Sequence, residues 1–139
     1  MKTFQYKLPD YDTPIDIHTK LWLFKIIGKS FIGITFNKKI YFRESYVHRL
    51  SDVKVRHEMI HVLQQKELTF PIFLLLYIGS WFLNILKYLL IPLKLIGVSI
   101  KIGKPYYNII FEKEAYCNER DNLYLIYRNK YNYFKKKKR

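Results

Sequence analysis

The chain has 139 residues, half of them hydrophobic and 18% aromatic, enough for one compact domain with a real core. Its single cysteine, Cys117, excludes an intrachain disulfide framework and is expected to be a small buried filler. The formal charge of +14 comes from 25 basic against 11 acidic side chains, seven of the basic ones between Arg128 and Arg139. That distribution reads as a solvated basic tail over 128–139 drawn to anionic surfaces, and with no accompanying motif it argues against a specific nucleic-acid partner.

The opening Met1-Lys2-Thr3-Phe4-Gln5-Tyr6 lacks a basic region followed by an uninterrupted apolar one, so no export signal is expected there. Residues 1–20, with Pro9, Asp10, Asp12, Pro14 and Asp16, read as an irregular lead-in. Leu21 to Glu44 is rich in Phe, Ile, Tyr and Thr and is broken by Gly28, Gly33 and Asn37-Lys38-Lys39, which predicts two or three short strands with a hairpin. Ile40 and Phe42 alternate with Tyr41 and Arg43, so one face can pack inward.

Ser51 or Asp52 can cap a helix that runs through Val55, Met59, Val62 and Leu63 toward Leu68, where Pro71 interrupts. Phe70 to Ile100 is apolar apart from Ser80, Asn84, Lys87 and Lys94, with Pro92 and Gly97 expected to divide it. Ser80, Asn84, Lys87, Lys94 and Lys101 follow helical spacing as a narrow polar stripe. The wide apolar remainder suits an interfacial or half-buried helical hairpin over 70–101 better than a straight span. Lysines at its margin favour an anionic leaflet, and the expected location is membrane-associated on the cytoplasmic side, with a plain cytoplasmic protein as the alternative. Pro105 suits the first turn of a last helix carrying Ile109, Glu112, Ala115, Tyr116, Glu119, Leu123 and Ile126 along one side.

The chemistry is carried by His57-Glu58-Met59-Ile60-His61. On a helix, positions i and i+4 lie nearly one above the other, so both imidazoles reach one ion, and zinc is the ion this donor pair suits. Glu58, rotated by about 100° from His57, stays off the metal but can approach a metal-bound water, as a general base must. A chance His-Glu-x-x-His in a chain of this length is expected about three times in a thousand. His18 and His48 lack such spacing and are expected to be structural or exposed.

Two imidazoles and a water leave such a site one protein ligand short, and the helix after Pro105 offers Glu112, Glu114 and Glu119. Glu112 and Glu114 lie about 200° apart around the last helix, so only one can face the metal. Glu112 shares the apolar side and is expected to be the third ligand; Glu114 shares its side with Asn118 and Asp121 and is expected to be solvated. Gln64 and Gln65 continue the side of His57 and are expected to hold the helix by hydrogen bonds or to line the cleft.

HEMIHVLQQ from His57 to Gln65, followed by FEKEAYCNE from Phe111 to Glu119, resembles small bacterial zinc metallopeptidases on the gluzincin plan of HExxH with a later glutamate. The compact minigluzincins, similar to the catalytic core of HtpX-type membrane peptidases, are the nearest group, and the match runs from about residue 35 to 127. The resemblance implies a zinc-dependent hydrolase of peptide or protein substrates in which the glutamate of an E-x-x-A-D pattern, here Glu112, completes the ligand set. It also implies a substrate backbone added to the edge strand ending near Phe42. The final acid of that pattern is replaced by Tyr116, which removes a carboxylate expected to orient a metal-bound histidine. Tyr116 is itself a candidate donor to the tetrahedral oxyanion, or else a packing residue.

The expected architecture is one α+β, zincin-like domain over 1–139. A small, mostly antiparallel sheet packs on the HExxH helix, with an apolar helical insertion and a C-terminal helix supplying Glu112. The competing expectation is a membrane-associated zinc-binding or scaffold protein without turnover, motivated by Tyr116 and the large apolar surface. Oligomeric state is not legible.

Overall fold

The computed structural model describes residues 2–26, 31–90 and 106–135. The expected breaks at Pro92 and Gly97, the helix start at Pro105 and the end of the lysine run, Lys136 to Arg139, lie outside them.

The fold is α+β. Strands β1 (Thr3–Tyr6), β2 (Ile15–His18), β3 (Gly33–Phe36) and β4 (Lys39–Phe42) form one sheet in the order β1-β2-β4-β3. β1 pairs with β2 and β3 with β4 antiparallel, while β2 and β4 run parallel. The sheet is therefore mixed, and residues 1–20 contribute half of its strands instead of an irregular lead-in. Their alternation is too short to read in isolation: Ile15 and Ile17 are buried and Asp16 is exposed, a period that gains meaning only once β4 lies alongside. Leu21 to Lys25, where a strand is conceivable from composition, is instead mostly a 3-10 turn, Trp22–Lys25.

The β3–β4 hairpin turns through Asn37 and Lys38, both left-handed with φ of 48° and 63°, as a two-residue hairpin loop requires. Gln65 fixes this hairpin from outside. Its Oε1 accepts from the Lys38 amide at 2.7 Å and its Nε2 donates to the Thr35 carbonyl at 3.0 Å.

Helix α1 (Asp52–Glu67) follows Ser51 in the N-cap position. Its apolar residues suggest one buried stripe, yet every residue from Val55 to Val62 is buried. α1 lies in the middle of the molecule, with the sheet on one side and α3 (Ile110–Asn118) on the other. Leu8, Ile15, Ile17, Ile40, Phe42, Val55, Met59 and Ile60 form the core between helix and sheet. Ala115 lets α3 approach α1 closely, as its small side chain predicts.

Helix α2 (Phe70–Leu90) accepts Pro71 in its first turn, where no intrahelical amide is needed, and is bent by 116° from α1. Phe73 joins Phe111, Ile109 and Tyr133 in a second small core. α3 stops at Asn118, a turn follows, and the short α4 (Tyr124–Tyr127) runs on a different course. Leu123 and Ile126, expected on the buried side of one long helix, are consequently 59% and 66% exposed. Cys117 is exposed and not a core filler. Part of the expected tail is ordered as well, since Arg128 and Tyr133 pack into the body.

Candidate metal centre

α1 carries His57 and His61 on the side that meets α3, and the first turn of α3 brings Glu112 between them. His57 Nε2 is 3.3 Å from His61 Nε2, His57 Nε2 is 3.4 Å from Glu112 Oε2, and His61 Nε2 is 3.3 Å from Glu112 Oε1. A tetrahedral ion with bonds of about 2.0–2.1 Å keeps its donors about 3.3–3.4 Å apart. The three side chains, all buried, can therefore hold one metal ion. Glu112 Oε2 is a buried oxygen with no hydrogen-bond partner, a costly arrangement for a group that serves only packing. The opposite oxygen is fixed: Tyr77 of α2 and Tyr106 donate to Glu112 Oε1 at 2.6 and 2.8 Å.

Each imidazole is also fixed from behind. His57 Nδ1 donates to Glu119 Oε2 at 2.8 Å, and His61 Nδ1 donates to Gln64 Oε1 at 2.7 Å. Both bonds place the proton on Nδ1 and leave Nε2 to face the shared position, the arrangement that metal-ligating histidines use. Gln64 is oriented for this because its Nε2 donates to the Phe111 carbonyl and to Glu114 Oε2, at 3.1 and 2.8 Å.

The protonation preferences follow from the same contacts. Burial works against a charged His57, but Glu112 and Glu119, with Glu58 nearby, outweigh it and raise its pKa to about 9. Burial likewise disfavours a charged Glu112, and the two imidazoles reverse this and hold its carboxyl well below the usual range.

Glu58, the residue after His57, points toward β3. The Thr35 hydroxyl donates to Glu58 Oε2 at 2.7 Å, with the Glu58 carbonyl oxygen 3.0 Å away. Gly33 leaves room for the other carboxylate oxygen: a Cβ there would sit 2.9 Å from Glu58 Oε1 and 2.6 Å from the Phe42 ring. His57 and Glu58 open together into a cavity of about 510 Å³ with an aromatic wall that includes Phe42, Trp81, Tyr107 and Tyr116.

Tyr116 packs edge-on against His57, with ring centroids 4.6 Å apart. Burial, the Glu112 carboxylate and Tyr107 push its hydroxyl pKa up, so it stays a donor. Glu114, expected to be solvated, is buried: it accepts from Tyr124 and from Arg128 Nε, each at 2.7 Å, and Arg128 also pairs with Glu67. The chain reversal after Asn118 brings α4 and Arg128 back over that side of α3. His18 bonds Thr3 Oγ1 at 2.9 Å and His48 is exposed, so neither is near the centre.

Thr35, Tyr77 and Tyr106 are site residues that the sequence does not mark, and Glu119, a candidate donor by sequence, sits instead behind His57. Glu119 is seven residues after Glu112 and so returns to the same helix side, as its spacing predicts. Nothing local marks Thr35 or the tyrosines. Comparison of the chain with protein-family models, with curated proteins and with solved structures finds no match.

Proposed function

We propose that the chain is a zinc-dependent peptidase built on the gluzincin plan, with His57, His61 and Glu112 as ligands, Glu58 as general base and a zincin-like arrangement of sheet and helices. The observation that carries this reading is the convergence of three buried donors at tetrahedral spacing beside a carboxylate that is held off the donor set by Thr35. The donor set fits zinc, since two imidazoles, each yielding its Nε2 proton when the ion binds, and one carboxylate are ligands of catalytic zinc sites and leave a position open.

Zinc bound there supplies a Lewis acid that acidifies water and polarises a carbonyl. Glu58 takes the proton from the attacking water and later gives it to the leaving amine. Thr35 holds one oxygen of Glu58 by a hydrogen bond, which keeps the carboxylate oriented through the two transfers. Tyr116 lies in the cavity wall beside His57 and offers its hydroxyl to the oxyanion.

We place the backbone of an extended peptide along the edge of β3 at Gly33, short of Thr35, whose carbonyl already accepts from Gln65, and not along β4. β4 ends at Phe42 but is interior, between β2 and β3, so its hydrogen bonds are already used. β3 is an edge strand, and Gly33 and Thr35 bring that edge against Glu58.

A scaffold without turnover was favoured by the missing acid at position 116. The carboxylate of Glu119, just past α3, bonds His57 Nδ1 in its place, which answers that motive, while the exposed apolar surface of α2 is compatible with either reading. The test is cleavage of a broad peptide library by zinc-loaded protein with Glu58→Gln as control. Turnover in the wild type that is lost in the variant supports the proposal; a wild type as inert as Glu58→Gln counts against it.

A further inference from the structure

Helix α2 is polarised the wrong way round for a helix in water. Its inward side carries buried Phe73, half-buried Ser80 and Asn84, and Tyr77, which reaches Glu112. Every exposed residue between Pro71 and Leu86 is apolar. At about 100° per residue, these side chains, among them Ile72, Leu75, Ile78, Phe82 and Leu86, sweep about 220° of the helix circumference. Soluble monomers rarely expose a continuous apolar surface of this kind.

We propose that a lipid leaflet with anionic headgroups covers the outer face of α2, the helix lying in the interface with its axis along the surface. The width of the apolar arc favours lipid over protein. A helix seated in a protein groove buries a stripe of i, i+3, i+4 and i+7 anchors and keeps the rest polar, whereas acyl chains contact the whole outer face. Charge complementarity selects the lipid class. Phe36 of the hairpin packs on Phe70 with ring centroids 4.8 Å apart, which sets exposed Lys38 and Lys39, together with exposed Lys66 at the end of α1, beside the start of α2. This collar lies at the margin of the apolar face, where headgroup charge sits. Among the described residues no single helix is long and apolar enough to cross a membrane, and an interfacial helix needs no such length.

One consequence concerns the centre itself. Trp81 is 40% exposed on this helix and also lines the cavity that holds His57 and Glu58, so the mouth of the cleft lies against the leaflet. The docking surface does not depend on the hydrolase reading, and its test is independent of turnover.

The experiment is flotation of the full metal-loaded chain with vesicles of phosphatidylcholine alone or mixed with phosphatidylglycerol. The same measurement is made on Leu75→Glu/Phe82→Glu, two sites that are 72% and 59% exposed and make no part of the metal centre. The wild type should float with the mixed vesicles and be released by salt, and the double variant should stay behind while keeping its circular dichroism and metal content. In a Trp22→Phe background, Trp81 emission should shift to the blue on the mixed vesicles. Overturning results are a folded wild type that ignores the mixed vesicles, a double variant that floats as well as the wild type, or a lipid-free dimer that the double variant dissociates. Metal content and peptide cleavage are read on the same samples, so failure of the peptidase proposal leaves the flotation result standing, and the reverse.

Discussion

Glu119 Oε2 lies 2.8 Å from His57 Nδ1, and this bond couples the last turn of α3 to the first histidine of α1. The backbone carbonyl of Glu119 is held in turn by Arg56 Nη1 at 2.8 Å, so two consecutive residues of α1, Arg56 and His57, grip the residue that caps α3. Carboxylates behind metal-bound histidines typically tune affinity by 10–100-fold. Glu119→Ala is expected to weaken metal binding by about that factor, and Glu119→Gln, which still accepts the bond, by less. Competition with a chromophoric chelator measures both; unchanged affinity in Glu119→Ala would count against the coupling.

Thr35 donates its hydroxyl to Glu58, which is not one of the three candidate ligands. Thr35→Val keeps the shape and removes the hydroxyl, and a misplaced general base loses part of a contribution of about 10²–10⁴-fold. The expected result is a kcat lowered by about tenfold or more with KM and zinc content unchanged, and recovery in Thr35→Ser. Equal loss in the Val and Ser variants would assign Thr35 to packing alone.

Arg56 is 1% exposed and pairs with Asp10 at 2.9 Å, tying the segment between β1 and β2 to α1, which carries the two candidate histidine ligands. Replacing one member of a buried ion pair strands the other, at about 3–5 kcal/mol. Arg56→Met is therefore expected to lower the denaturation midpoint strongly, and Asp10→Asn less because an amide still accepts from the guanidinium. Chemical denaturation followed by circular dichroism decides this.

A pH dependence attaches to Tyr6, whose hydroxyl donates to Asp52 Oδ1 at 2.7 Å. Partial burial and the neighbouring carboxylate raise its pKa from 10.0 to about 12. The folded protein thus holds this proton more tightly than the unfolded chain does. The stabilisation is fully present below pH 10 and is lost as pH rises through about 12. The stability difference between wild type and Tyr6→Phe should shrink over that interval; a constant difference would mean that the bond does not titrate with the tyrosine.

The meeting of His57, His61 and Glu112 was legible because it depends on helical spacing within α1 and on the apolar side of α3, both local properties. The hairpin was legible for the same reason, from Asn37-Lys38 between two apolar runs. What lay hidden depends on chain segments far apart. β1 and β2 are four residues each, and their place in the sheet is set by pairing with β4. The burial of Glu114 required the reversal after Asn118 and the return of Arg128 from fourteen residues away, which no periodicity announces. Cys117 was misjudged because burial preference says nothing about which side of a short helix faces water. The spacing of Glu119 from Glu112 repeats the helix face, so its position beside His57 is legible in the sequence, whereas its role behind the imidazole depends on the packing of α1 on α3.

The most direct test of the centre is anomalous diffraction at the zinc edge from crystals of the zinc-loaded protein. A single peak about 2.0–2.1 Å from His57 Nε2, His61 Nε2 and a Glu112 oxygen is the expected result. A fully loaded crystal with no peak there, or with the ion held by other residues, contradicts the account.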